Sequence, residues 1–442
     1  MYRVELQRKL TTKHVWAIAV GMVISGQYFG WNFGFQVAGV QGMFIAAGIV
    51  TLFYFCFMLS YAELATMIPK AGGPSAYAER ALGRTGGFIA GISCLIEFVF
   101  APPAIAVATG AYVHFLWPII PSYIAAVTAF AGCLLINLSS TKDVARFEMI
   151  ITVLALCGLI IFYAANLNPA IGWHHSITPT SSSLTHHWPA AIPFAIWLYL
   201  AIEGAVMTAE EVIKPERDLA RGIILAIITL GICSALTLWF TATHCHDPRA
   251  AIDYPLTHTL TEYYGVHSWV VNSVGILGLF GLLASLNGIM IGYARQTYAL
   301  SRARYLPAFL SRLTKNGSPI WALILPGMFG IICTASANLS NSLIILAAFG
   351  AVCMYCISLL SLFVLRIREP HAARPYKVFY PWLPGMGLLL GLLCVGCVFK
   401  YAIMPGEITL FKEPIHLISV LVIIVVGGAL LQVMRRPTVS DL

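Results

Sequence analysis

Hydrophobic positions in this chain run on for whole helix lengths, instead of alternating as in strands or forming the one-sided stripe of a soluble helix. Twelve apolar runs are each long enough, as helices, to cross ~30 Å of hydrocarbon. They lie near 15–38, 42–66, 85–113, 121–138, 145–166, 189–210, 219–243, 268–296, 319–336, 341–365, 383–403 and 414–434. Two runs are interrupted in mid-course. Ser25-Gly26-Gln27-Tyr28-Phe29-Gly30 breaks the first, and Glu203-Gly204 breaks the sixth. Backbone in hydrocarbon must satisfy its own hydrogen bonds, so unwound helix is tolerated only where it lines a cavity.

The breaks stand at the start of two stretches of five runs each. The pattern predicts an all-α integral membrane protein with one domain over 1–442. Its twelve transmembrane helices form a five-plus-five inverted repeat, 14–166 and 188–366, with helices 1 and 6 discontinuous. Two extra C-terminal helices follow over 380–435. Five is an odd number, so the second half enters the membrane from the opposite side. Matched broken helices point to the binding site of a secondary transporter.

Composition agrees. Hydrophobic residues make up 59% and charged residues 10% of the chain, against about 25% charged in soluble domains. Mean hydropathy is +0.83. With the N-terminus inside, all of the 26 Lys and Arg except Arg249, Lys400 and Lys412 fall in cytoplasmic segments, as the positive-inside rule requires of an even number of spans. The expected location is therefore a plasma membrane (a bacterial inner membrane), multi-pass, with both termini cytoplasmic. The net charge of +8 is topological and does not mark a nucleic-acid partner. No cleavable leader is expected ahead of the first run.

The cysteine pairs Cys353/Cys356 and Cys394/Cys397 have CxxC spacing but sit inside apolar runs, and are read as small packing residues. His244-Cys245-His246, His174-His175 and His186-His187 fall in expected external loops; a metal site there is the lesser alternative, and solvated side chains are the expected role. No metal and no cofactor is expected.

The candidate chemistry gathers at the breaks. Gly26 and Gly30 let the backbone leave helical geometry, exposing amides from one half-helix and carbonyls from the other. The plainer alternative is that these glycines serve close helix packing. Trp197, Tyr199 and Ala201 precede Glu203-Gly204. A carboxylate at that depth costs at least ~2.5 kcal/mol on insertion scales, so it calls for a cation, a proton or a buried partner. Aromatic rings beside it suit an organic ammonium through cation–π contact. Glu97 and Phe98 lie deep in the third run, before Pro102-Pro103, which should bend the helix. If Glu97 and Glu203 face one cavity, one of them can carry a proton, a route to proton coupling. Glu63, Glu210 and Glu211 are expected in cytoplasmic ion pairs or a closing gate. Asn287, with Ser285, offers a polar contact or an ion ligand; a helix–helix hydrogen bond is the competing role.

These residues resemble the amino acid–polyamine–organocation transporter superfamily. The marks are the Gly-interrupted first span, Tyr61-Ala62-Glu63-Leu64 with Pro69-Lys70-Ala71-Gly72-Gly73-Pro74, and Glu210-Glu211-Val212-Ile213-Lys214-Pro215-Glu216-Arg217-Asp218. Within it the chain is similar to the bacterial ethanolamine permease branch, through Tyr28-Phe29-Gly30-Trp31-Asn32, Glu97-Phe98-Val99-Phe100-Ala101-Pro102-Pro103-Ala104 and Ala201-Ile202-Glu203-Gly204. The resemblance implies alternating access and a substrate between spans 1, 3, 6, 8 and 10. Related amino acid carriers bind the substrate carboxylate on a small-residue run at the first break. Here Gln27, Tyr28 and Phe29 are bulkier, which suits a substrate without a carboxylate, such as ethanolamine or a related amine. Some proton-coupled relatives place a lysine near Ala155; none occurs from Val144 to Asn166. The expected substrate site is Ser25, Gly26, Gln27, Tyr28, Glu97, Phe98, Trp197, Tyr199, Ala201, Glu203, Gly204 and Asn287. Glu97 and Glu203 are the candidates for coupling to a co-transported proton or cation, and lipid is the surrounding partner. An amino acid transporter or exchanger for a neutral or basic amino acid is the rival reading. An enzyme is not expected, because no Ser/His/Asp set or HExxH motif occurs in the runs.

Overall fold

A computed structural model describes residues 8–138, 141–168, 187–245, 252–314, 319–334, 340–403 and Gly428. Its regular elements are all helical, with a single isolated bridge, Leu10 to Val212, among the described residues. Among the described residues eight helices are long and apolar enough to cross a membrane, and two shorter apolar helices accompany them. The expected twelfth run near 414–434 lies outside the described residues apart from Gly428, as do His174, His175, His186 and His246.

The first expected span divides as its glycines suggest, though not quite where. Helix α1 (Thr12–Val23) gives way at Ile24 to a single turn, α2 (Ser25–Tyr28). The unwound stretch is Phe29 to Asn32, with Gly30 at φ +96°. Helix α3 (Phe33–Met67) then runs through the end of the first span into the second, bending at Gly39 (φ +67°, ψ 176°). That conformation is costly for any residue with a Cβ.

Helix α4 (Pro74–Leu116) carries Glu97. The expected bend at Pro102-Pro103 is not where the dihedrals depart from helical values; that happens at Gly83, φ +79°. The prolines still lack amide protons, but the backbone stays helical across them. Helices α5 (Ser122–Ile136) and α6 (Thr141–Asn166) complete the first group of five runs.

The sixth span also breaks earlier than its Glu-Gly pair. Helix α7 (Trp188–Trp197) ends in a turn over 198–201, and a 3₁₀ helix, Ile202–Glu211, continues the chain. Ala201 adopts φ +72°, a strained state for a residue with a Cβ, and such states cluster at functional sites. Glu203 is therefore in the first turn of the second half-helix. Helices α8 (Pro215–His244), α9 (Pro255–Tyr264), α10 (Trp269–Arg302), α11 (Ile320–Thr334), α12 (Ser340–Arg368) and α13 (Trp382–Ile403) follow.

Packing brings the broken elements to the centre. Helix α4 packs most extensively on α12 and α10, α7 on α3, and α1 on α8 and the 3₁₀ helix. The sixth span is buried from Ala190 to Ala209. Ion pairs join the elements at the end expected to be cytoplasmic. Glu63 pairs with Arg366 (2.6 Å) and Arg374 (3.2 Å), Glu211 with Arg295 (2.6 Å) and Glu210 with Arg302 (3.7 Å). Lys9 N and Leu10 N donate to Glu211 O at 2.7 and 2.9 Å, pinning the N-terminal segment beneath the second break.

Candidate functional site

The two breaks touch directly. A Cβ built on Gly26 would overlap the carbonyl of Trp197, and one on Gly30 would overlap the Trp197 indole. Gln27 spans the junction: its Nε2 donates to Leu198 O (3.0 Å) and Ser234 Oγ (3.1 Å). From the other side Ser285 Oγ accepts from Ser25 N and donates to Gly21 O, both at 2.8 Å, closing the α1–α2 joint from α10.

Beside this junction the two carboxyls meet. Glu97 Oε1 accepts from Ala201 N at 3.0 Å, so the strained residue of the second break aims its amide at Glu97. Tyr355 Oη lies 2.8 Å from Glu203 Oε2 and 3.2 Å from Glu97 Oε1. It has one proton for two acceptors. The Tyr355 hydroxyl therefore bridges the two carboxyls. Two buried carboxyls bridged by a single hydroxyl hold more negative charge than that donor offsets, so the pair is complementary to a positive charge. Both glutamates are fully buried. Among the described residues no lysine or arginine pairs with either, and Glu97 Oε2 and Glu203 Oε1 receive no donor.

Aromatic rings wall the pair. Tyr54 lies 5.4 Å from Tyr355 and 5.0 Å from Tyr199 by ring centroids, and Phe57 lies 4.2 Å from Tyr355. Phe98 packs against Gly204 and Gly292, where a Cβ would overlap its ring. Glycine at 204 is thus required by close approach of α4, apart from any role in breaking the helix.

Not every expected site residue converges here. Glu97, Ala201, Glu203, Gly204 and Phe98 form one cluster, with Tyr199 on its aromatic wall. Ser25, Gly26, Gln27 and Trp197 form the adjoining junction. Tyr28 turns away: its Oη donates to Ala155 O at 2.6 Å, and its ring packs on Gly278 and Gly281. Asn287 belongs to a separate buried set. It donates to Glu148 Oε2 and accepts from Asn137 Nδ2, both at 2.8 Å. This is the helix–helix hydrogen bond that competes with the ligand role, here in a chain of three residues. Removing the donor leaves a buried carboxyl unpaired, which costs about 1–3 kcal/mol. Asn287→Leu should lower thermal stability accordingly, and Glu148→Leu in the same chain should restore part of it. Strictly additive losses would contradict this pairing.

Three residues of these clusters do not stand out in the sequence. Tyr54 is one aromatic among many in the second span. Tyr355 lies between Cys353 and Cys356, where the CxxC spacing draws attention to sulfur. Glu148 stands near the start of the fifth run, and a carboxylate within an apolar run is the signal that could have found it.

The amino acid permease family model matches residues 10–429. The chain belongs to the amino acid permease family. This permease is 25% identical over 421 residues to an uncharacterized transporter of Rhizobium meliloti (strain 1021), covering 90% of this chain and 87% of that one. It is 24% identical over 444 residues to the aromatic amino acid transport protein AroP of Escherichia coli (strain K12), covering 94% of each. AroP of Salmonella typhimurium (strain LT2) is 25% identical over 447 residues, again with 94% of each chain covered. The permease is a multi-pass membrane protein and a transporter, with a small molecule as substrate.

Proposed function

We propose that this permease carries a small organic cation, ethanolamine above all, by alternating access between the broken helices α1–α2 and α7–3₁₀. The observation that carries the reading is the buried Glu97–Glu203 pair, which faces no basic side chain among the described residues and is walled by tyrosines. An ammonium group there meets two carboxyls and aromatic faces, whereas a carboxylate meets repulsion. The first break adds support. Ser25 N is taken by Ser285 Oγ, Gln27 N by Ile24 O, Phe29 N by Ser25 O and Gly30 N by Asn32 Oδ1, so these four amides are not open to a substrate carboxylate.

Ser25, Gly26, Gln27, Trp197, Tyr199 and Ala201 complete the substrate site in this reading, with Phe98 and Gly204 shaping its wall. Tyr28 and Asn287 act through helix packing instead. The twelve-span, five-plus-five arrangement, cytoplasmic termini and bacterial inner membrane belong to the same proposal. Glu97 and Glu203 are its coupling groups, exchanging a proton as the ammonium enters or leaves.

A second reading has a specific basis: AroP, whose name describes an aromatic amino acid transport protein, aligns over 94% of this chain. Uptake into proteoliposomes separates the two. Labelled ethanolamine should enter saturably and resist competition by alanine, GABA, arginine and phenylalanine. Efficient inhibition by any of these amino acids, or amino acid uptake without ethanolamine uptake, would overturn the cation reading.

A further inference from the structure

At the end of α8 far from the Leu10–Val212 bridge, a thiol, an imidazole and a carboxylate come together. Cys245, His258 and Glu262 each offer one ligand atom, and all three atoms lie within 4.8 Å of one another. Two come from one face of α9, four residues apart, with His258 Nε2 3.9 Å from Glu262 Oε1. That spacing stacks side chains one turn above the other. The third is the residue just after α8, where Cys245 N donates to Thr241 O at 3.0 Å and the helix end fixes its position. Tyr263 Oη donates to His244 O at 2.6 Å, closing the corner between the two helices. Cys245 is buried, while His258 and Glu262 are partly open to solvent.

We propose that Cys245, His258 and Glu262 form a zinc site outside the transport pathway. Thiolate, imidazole and carboxylate are the donor types zinc takes, and three protein ligands leave the fourth tetrahedral position for water. Tetrahedral zinc ligands stand about 3.5 Å apart, so the three side chains need to close by roughly an ångström, within the reach of rotamers on the partly open His258 and Glu262. The thiolate selects zinc over magnesium and calcium, which prefer oxygen alone. The sequence draws attention to the histidines flanking Cys245 and suggests solvated side chains there. The fold instead supplies ligands from α9, thirteen and seventeen residues further on. On the expected orientation the site faces the outside. A bound metal ties the end of α8 to α9, which packs on α10, α6 and α8.

The test uses the full-length protein in detergent with Co²⁺ and Zn²⁺ as probes. One equivalent of Co²⁺ should give a thiolate-to-cobalt charge-transfer band that Zn²⁺ removes, and Zn²⁺ should raise the melting temperature by mass action. Cys245→Ser should abolish the band, and His258→Ala should weaken Zn²⁺ binding by roughly tenfold or more. A wild type without the band, a band that survives Cys245→Ser, or a smaller loss in His258→Ala overturns the site. Monodispersity and metal-free melting temperature report whether each variant is folded. If one is not, Glu262→Gln replaces it under the same roughly tenfold criterion.

Discussion

Replacing Glu203 by Gln is expected to abolish ethanolamine uptake if the permease carries an ammonium as proposed. The amide keeps the size of the side chain and can still accept from Tyr355, so the 3₁₀ helix retains its packing. What disappears is the charge. Truncating one partner of a buried charge pair costs about 2–5 kcal/mol or more, which is roughly 30-fold or more in Kd. Ethanolamine uptake at substrate concentrations near the wild-type half-saturation should therefore fall close to background. Glu97→Gln tests the other half of the pair. If the two carboxyls share the coupling proton, uptake by this variant should lose its sensitivity to a protonophore even where some transport survives. Near-normal affinity in Glu203→Gln would place the ammonium elsewhere, and unchanged protonophore sensitivity in Glu97→Gln would remove that residue from the relay.

The second large effect is expected at Glu63, on stability. Glu63 is fully buried and accepts from Arg366 Nη2 (2.6 Å) and Val378 N (2.8 Å), with Arg374 Nε at 3.2 Å. The Arg374 side chain is only 3% exposed. It also donates to Leu365 O, Glu369 O and Ala372 O, which holds it in place as the chain leaves α12. Glu63→Ala strands this guanidinium in the protein without its counter-charge. Breaking a buried pair in this way costs about 3–5 kcal/mol, far more than the exposed pairs nearby, where about 0–1 kcal/mol is usual. Thermal unfolding in detergent should show a marked fall for Glu63→Ala and little change for Arg80→Ala, whose pair with Glu369 is largely exposed. Equal melting temperatures for the two variants would contradict this ranking.

Much of this arrangement is legible in the amino-acid sequence, for physical reasons that differ residue by residue. Glu97 and Glu203 stand out because charge in an apolar run is costly, and that cost is the same whatever the fold. Gly26 and Gly30 stand out because glycine leaves helical geometry cheaply. The position of each break is less legible: Phe29–Asn32 and Leu198–Ala201 unwind where Gly26 and Gly30 meet Trp197 and Ser285 of α10 closes the joint, and no residue type marks Ala201 for φ +72°. Tyr54 and Tyr355 are hidden because a tyrosine in a membrane helix has the same local signature whether it packs or binds. The sequence neighbours of Tyr28 and Asn287 suggest a place in the site for both. A side chain's direction around the helix sends both elsewhere, Tyr28 to the Ala155 carbonyl and Asn287 to Glu148.

The central claim is that the Glu97–Glu203 pair recognises an ammonium without a carboxylate. Equilibrium binding of labelled ethanolamine to the purified permease tests it most directly, because binding does not depend on coupling or on orientation in a vesicle. Wild type should bind ethanolamine saturably, alanine and phenylalanine should not displace it, and Glu203→Gln should lose the binding. Displacement by either amino acid, or ethanolamine binding that survives Glu203→Gln, would contradict the account.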